Sequence, residues 1–208
     1  MKRLTPLFIL SFILLPFFIA CTQQHQKEIK GNYEIIHEKI NISDYDEIQL
    51  GIPAEVIYEQ ISYENPFLQI TVDKNILSSL DISVKNNRLI ITQNNDSILK
   101  PSQLKIFTNS KNIKKINIEQ SGNLIMRKKV NAKNMEIAIS GAGNLKADSL
   151  FCETIKINVI DTGIADIAGA ATNAAFTAKN TGKINAKDYV VENTTYTTTE
   201  AGEIKATE

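Results

Sequence analysis

Residues Ile139–Asp148 read ISGAGNLKAD. The residues leading into this stretch, Met135-Glu136-Ile137-Ala138-Ile139, alternate apolar side chains with others, the period of a strand that faces two environments. Two glycines then follow within three residues, and the chain resumes with Asn144-Leu145-Lys146-Ala147. Glycine weakens a strand interior and marks a bend or a close backbone approach. The interruption recurs down the C-terminal half, and the recurrence gives the reading of the fold.

The matching segments are Ser121-Gly122-Asn123-Leu124, Ala142-Gly143-Asn144-Leu145, Thr162-Gly163-Ile164-Ala165, Thr181-Gly182-Lys183-Ile184 and Ala201-Gly202-Glu203-Ile204, with glycines spaced 21, 20, 19 and 20 residues apart. A small residue precedes every glycine and an apolar one follows two positions later, while Ala147, Ala186 and Ala206 recur four positions on. A strand, a tight corner and a second strand cannot bury their apolar face alone, but stacked copies can. The expected fold is therefore all-β: a right-handed parallel β-solenoid, β-helix-like, with repeats of about 20 residues. Gly122, Gly143, Gly163, Gly182 and Gly202 are its structural turn glycines, expected to supply a positive φ at each corner. An antiparallel meander would favour Asn-Gly turns, and the order here is Gly-Asn.

The preceding part is β-rich without that regularity. Strands are expected within Tyr45–Tyr58, Phe67–Val72, Leu80–Val84, Arg88–Thr92 and Leu104–Thr108. Asn75–Leu80 is expected to form a helical turn, and Asn94–Ser102 a polar loop. No linker divides the chain, so residues 33–208 are expected to form one solenoid domain.

The N-terminus reads as a targeting segment. Lys2 and Arg3 precede the apolar run Leu7–Ala20, which is short for a membrane span and is interrupted by Pro16. Phe18-Ile19-Ala20-Cys21 resembles a bacterial lipobox, which implies lipidation of Cys21 and a lipoprotein signal peptide over residues 1–20. Residues 21–32 then read as a polar tether. Of 208 residues, 23 are basic and 23 acidic; this balance gives no electrostatic signature for nucleic acid. Cys152, beside Leu150 and Phe151, is expected to be a small buried core residue.

Gly51-Ile52-Pro53-Ala54-Glu55-Val56, Val84–Ile91, Ile116–Gly122 and the repeated small-Gly corners together resemble the head GIN domain, the putative auto-transporter adhesin family, over about residues 45–206. The resemblance implies a Bacteroidetes-type exported or lipid-anchored envelope protein and no catalytic residue. Asp96-Ser97-Ile98 and Asp148-Ser149-Leu150 resemble the O-glycosylation pattern of that phylum, which makes Ser97 and Ser149 candidate modified residues.

Two functions of different class remain open from the residues. The first is a non-catalytic envelope lipoprotein that binds a carbohydrate or an envelope protein through one face. The outward positions Asn117, Glu119, Glu136, Lys156 and Asn158 are the expected face. The second is a carbohydrate-active enzyme using carboxylates such as Asp161, with Glu200 in the same column. No metal site or cofactor is expected. The basic residues Lys111, Lys114, Lys115, Arg127, Lys128 and Lys129 read as a solvated face. Surface-directed lipoproteins of that phylum often carry acidic residues soon after the acylated Cys, and Thr22–Gln26 has none, so the resemblance implies the periplasmic face of the outer membrane over the cell surface.

Overall fold

The computed structural model describes residues 27–94 and 97–206. The signal segment, Cys21, His25 and Asp96 lie outside the described residues. The chain is all-β, 70% strand and 2% helix, and its main sheet of 14 strands curls without closing. Among the described residues no helix is long and apolar enough to cross a membrane.

Pairing starts inside the expected tether: β1 (Glu28–Lys30) lies parallel to β8 (Ile98–Lys100), itself within the expected polar loop, and Gly31 N–H donates to Lys100 O. Strand pairing thus reaches ahead of residue 33. Next come β2 (Ile35–Asn41), β3 (Glu47–Leu50), β4 (Glu55–Gln60) and β5 (Phe67–Asp73). The helical turn α1 (Lys74–Leu77) leads to β6 (Leu80–Lys85), β7 (Arg88–Gln93) and, after β8, β9 (Leu104–Ser110). The C-terminal half holds β10 (Lys115–Gln120), β11 (Asn123–Arg127), β12 (Val130–Gly141), β13 (Asn144–Asp161), β14 (Ile164–Ala178), β15 (Lys183–Thr198) and β16 (Glu203–Ala206).

Most ladders are parallel and run in two neighbouring series. On one side β7, β3, β10, β12 and β13 lie in order; on the other, β9, β4, β11 and β13. β14 and β15 continue from β13. Since side chains alternate between faces along a strand, parallel register sets like beside like. Leu89, Ile48, Ile116, Ile137, Ile157 and Phe176 are successive register partners, and all are buried. Ile106, Val56, Leu124, Leu145, Ala165 and Ile184 form a second buried column. Each buried aliphatic side chain contributes about 1.5–3 kcal/mol of transfer free energy, so these columns dominate the core.

The order of stacking is not the order of the chain. β3 and β4 lie between β7/β9 and β10/β11, although β7 and β9 follow them in sequence. The antiparallel strands β2, β5 and β6 cover that end of the sheet.

The corners correct one expectation. Positive φ belongs not to Gly122, Gly143, Gly163, Gly182 or Gly202 but to the residue two places earlier: Gln120 (60°), Gly141 (95°), Asp161 (68°), Asn180 (57°) and Glu200 (57°). The corner glycines are needed for close approach instead. A Cβ on Gly143 would stand 2.5 Å from Ile118 Cγ2, and one on Gly163 2.6 Å from Ile139 Cγ2. The turns also bond to one another, Asn144 N–H to Gly122 O at 3.0 Å and Ile164 N–H to Gly143 O at 3.1 Å.

Candidate functional site

The same alternation that buries the columns presents every other residue outward, and two outward faces differ in character. The face expected from the sequence follows β3, β10, β12 and β13. Its groups are largely committed to one another. Arg88 Nε lies 2.8 Å from Glu47, Lys115 Nζ 3.3 Å from Glu136, and Asn117 and Gln49 both donate to Glu119, at 2.8 and 3.3 Å. Lys114 pairs with Asp46 at 2.8 Å. Opposite charges across neighbouring strands are a stabilising pattern, and here they engage Glu47 and Glu136, while Lys156 lies beside them along the same groove.

The second face lies on β5, β9, β4 and β11. Gln69, Phe107, Ile57 and Ile125 are successive register partners across it, and Phe107, Ile57 and Ile125 are half-buried. Phe67 packs beside Phe107 with ring centroids 5.6 Å apart. Cations stand over both rings: Lys39 Nζ 4.2 Å from the Phe67 centroid and the Arg127 guanidinium 5.6 Å from that of Phe107. The face thus combines aromatics, branched aliphatics and an arginine, the residue types that anchor interfaces.

Its edge is held by a buried carboxylate. Glu59, with a side chain only 5% exposed, takes Lys128 at 2.8 Å and Arg127 at 3.5 Å. The Glu59 hydrogen bond raises the Lys128 pKa, its charge adding to the effect. Asn109, the register partner of Glu59, is fully buried; its side-chain carbonyl accepts from Phe67 N–H at 3.0 Å, and its amide Nδ2 has no protein partner. Lys105 pairs with Glu55 at 3.1 Å. The basic cluster read in the sequence is therefore spread across several pairs, with Lys129 lying 4.6 Å over the Phe151 ring.

Sequence reasoning missed this face. Alternation in Lys105-Ile106-Phe107 already sets Phe107 opposite in facing to Ile106. Nothing local says that β5 and β4 flank β9, one antiparallel and one parallel, so the convergence of Phe67, Phe107 and Ile57 was not readable.

The other expected residues fall as follows. Asp161 and Glu200 occupy exposed turn tips with Asn180 between them in the column, and Asn180 Nδ2 donates to Asp161 Oδ1 at 2.8 Å. The bond joins neighbouring turns of the column. Ser97 is half-buried beside Pro53, Ile98 and Gln120 at a surface groove of about 460 Å³, and its carbonyl accepts from Gln93 Nε2 at 2.6 Å. Ser149 is half-buried within β13, where the register to β14 shifts between Ala147 and Leu150. Cys152 is half-buried rather than buried, because its strand position packs only against the rim of the core; burial pushes its thiol up to about 11 against an opposing hydrogen bond from Tyr189. Among the described residues no cluster of three or more His, Cys, Asp or Glu side chains could hold a metal ion.

Residues 44–208 match the putative auto-transporter adhesin, head GIN domain. The chain belongs to this family. Solved structures similar to this head GIN domain include a putative adhesin from Bacteroides fragilis, with a TM-score of 0.75 and 19% identity, covering 86% of this chain and 99% of that one. A putative lipid binding protein from Parabacteroides distasonis superposes with a TM-score of 0.68 and 23% identity, covering 88% of this chain and 100% of that one. A putative adhesin from Parabacteroides merdae gives 0.62 and 21% identity, over 86% and 83% of the two chains. At these identities the likeness is one of fold. None of the curated proteins matched the chain.

Proposed function

We propose that this head GIN domain is a non-catalytic binding module of the bacterial cell envelope, adhesin-like, lipid-anchored through Cys21 to the outer membrane and facing the periplasm. Its parallel ladders are read as successive turns of a right-handed solenoid with about 20 residues per turn, from partners such as Ile137–Ile157 and Ile184–Ile204. The observation that carries the binding reading is the aromatic and cationic face of Phe67, Phe107, Ile57, Ile125, Lys39 and Arg127. Adhesin and lipid-binding descriptions of its structural neighbours support a binding role. The partner is a carbohydrate or an envelope protein met on a flat surface. Each contact is weak, and tethering to a membrane raises the effective concentration of the binding face.

The test is a glycan array probed with the intact protein, run beside a hydrolysis assay on the same sugars. Binding without turnover is expected. Phe107→Ala should weaken binding to the array hits by tenfold or more, while Lys156→Ala on the ion-paired face should leave it unchanged. Turnover of any bound sugar, abolished by Asp161→Asn, would overturn the reading in favour of an enzyme.

A further inference from the structure

Each strand of the parallel ladder presents its outer edge to the next until β15. Residues 188–198 of β15 pair with residues 168–178 of β14 on one side. On the other side β16 takes only Lys183–Ala186. Among the described residues, nothing pairs with the outer edge of Asn193–Thr198.

That edge differs from those at the opposite end of the sheet. Asn193–Thr199 reads NTTYTTT, seven residues without charge, proline or glycine. At the other end β2 carries Glu38 and Lys39, and β6 carries Asp81 and Lys85. Charged side chains are a common device that keeps an edge strand from recruiting another. The seven-residue stretch lacks it, and threonine and tyrosine favour strands.

Among the described residues the core also ends there. Tyr196 continues the column of Ile137, Ile157 and Phe176, with its ring 6.0 Å from that of Phe176, yet it is 50% exposed. Thr194 and Thr198 follow Ala174 and Ala178 at the flanking inward positions. A partner at this edge must therefore bring backbone donors and acceptors together with small inward side chains that cover Tyr196.

We propose that the partner is a second copy of this chain, joined through Asn193–Thr198 laid antiparallel against the same segment about a two-fold axis. The pairing centred on Thr195 sets Thr194 beside Tyr196, Asn193 beside Thr197 and Glu192 beside Thr198. Inward Thr194 meets inward Tyr196, and no like charges oppose. The pairing centred on Tyr196 sets Glu192 against Glu200, a destabilising arrangement. The contact is isologous, so it closes at two copies. Head-to-tail growth would have to lay this neutral edge on the charged strands β2 or β6. The inference is independent of the binding face described above.

Opposite residues of an antiparallel pair have Cα atoms about 4.5–5.5 Å apart, inside the span of about 4.4–6.8 Å that a disulfide bridges. Thr195→Cys in the full chain carrying Cys21→Ala and Cys152→Ala should therefore give a covalent dimer under copper–phenanthroline oxidation. The Cys21→Ala/Cys152→Ala parent and an Asp81→Cys control on β6 in the same background should give none. Thr195→Lys should sediment as a monomer where the wild-type chain sediments as a dimer, with an unchanged far-UV spectrum and a cooperative melt that, unlike the wild type's, does not depend on protein concentration. A wild-type chain that is monomeric across the accessible concentration range would overturn the proposal. So would a dimer that persists in Thr195→Lys, or cross-linking no faster at position 195 than at 81.

Discussion

A methyl group on Gly143 would stand 2.5 Å from Cγ2 of Ile118 in β10 and 3.0 Å from the carbonyl oxygen of Gly122 in the turn that follows it. Gly163 repeats the relationship with Ile139 and the Gly143 carbonyl. Glycine at these corners is a spacing requirement. The left-handed backbone needed to turn the chain sits two residues earlier, on side chains as different as Gln120 and Asp161.

Gly143→Ala should accordingly destabilise the protein by more than about 1 kcal/mol, in the range of core overpacking, and Gly143→Val by more. Lys183→Ala, at an exposed position whose nearest acid is Glu203 at 3.8 Å, should change stability by less than about 0.5 kcal/mol. Thermal melts of the three variants read the difference. Equal melting temperatures for Gly143→Val and wild type would remove the spacing argument.

The Asp73 carboxylate ties the N-terminal segment to the sheet. It accepts from Tyr33 N–H at 2.8 Å, from Ser102 N–H and Oγ both at 2.7 Å, and from Gln103 N–H at 3.3 Å. Burial pushes its pKa up, but the hydrogen bonds from Ser102, Tyr33 and Gln103 outweigh this and hold it below the ordinary value. A pKa lowered on folding adds stability that is present above the unfolded value, near 3.9, and is lost as pH falls through the folded one. Asp73→Ala strands several donors and should cost about 2 kcal/mol or more. Asp73→Asn should flatten the loss of stability in urea titrations below about pH 4. An unchanged acid limb in that variant would count against this role.

Cys152 should be a poor nucleophile. With its thiol pushed up to about 11, about one molecule in a thousand is thiolate at pH 8, and the thiolate is the reactive form. In a Cys21→Ala background, labelling by a disulfide reagent should be slow at pH 8 and rise about tenfold per pH unit toward 11. Rapid labelling at neutral pH would mean that the thiol is activated.

Cys21→Ser should move the protein from the membrane fraction to the soluble one, and mass spectrometry should find acyl chains on Cys21 in the wild type. Protease shaving of intact cells tests the side. Survival of the protein alongside a periplasmic control is expected; its loss with the control intact would place it on the cell surface.

Much of the local structure was readable without coordinates. Alternation in Met135–Ile139 and Ile155–Val159 set which side chains point inward, because a strand has only two faces. The Asn86-Asn87 step marked the turn between β6 and β7, where both residues take positive φ, 52° and 60°. The glycine spacing located the corners but misassigned their geometry. A one-dimensional pattern shows that a residue must be small and does not show whether φ or a neighbour imposes this. Only the packed neighbour, Ile118 against Gly143, separates the two.

What the chain's own order determined is most of the strand content beyond residue 45, the inward and outward faces and the positions of the corners, since each depends on residues close in sequence; β1, β2 and β8 escaped it. The tertiary structure alone decided which strands became neighbours. Residues 47–60 lie between 88–110 on one side and 115–127 on the other, so the chain goes out and returns across them. That arrangement is set by apolar columns joining Leu89, Ile48 and Ile116, contacts between residues far apart in the chain. Strand pairing is chosen by the total burial it achieves, and many pairings share the same local alternation. The convergence of Phe67, Phe107, Ile57 and Arg127 on one face follows from that choice, and so does the neutral edge left open at Asn193–Thr198.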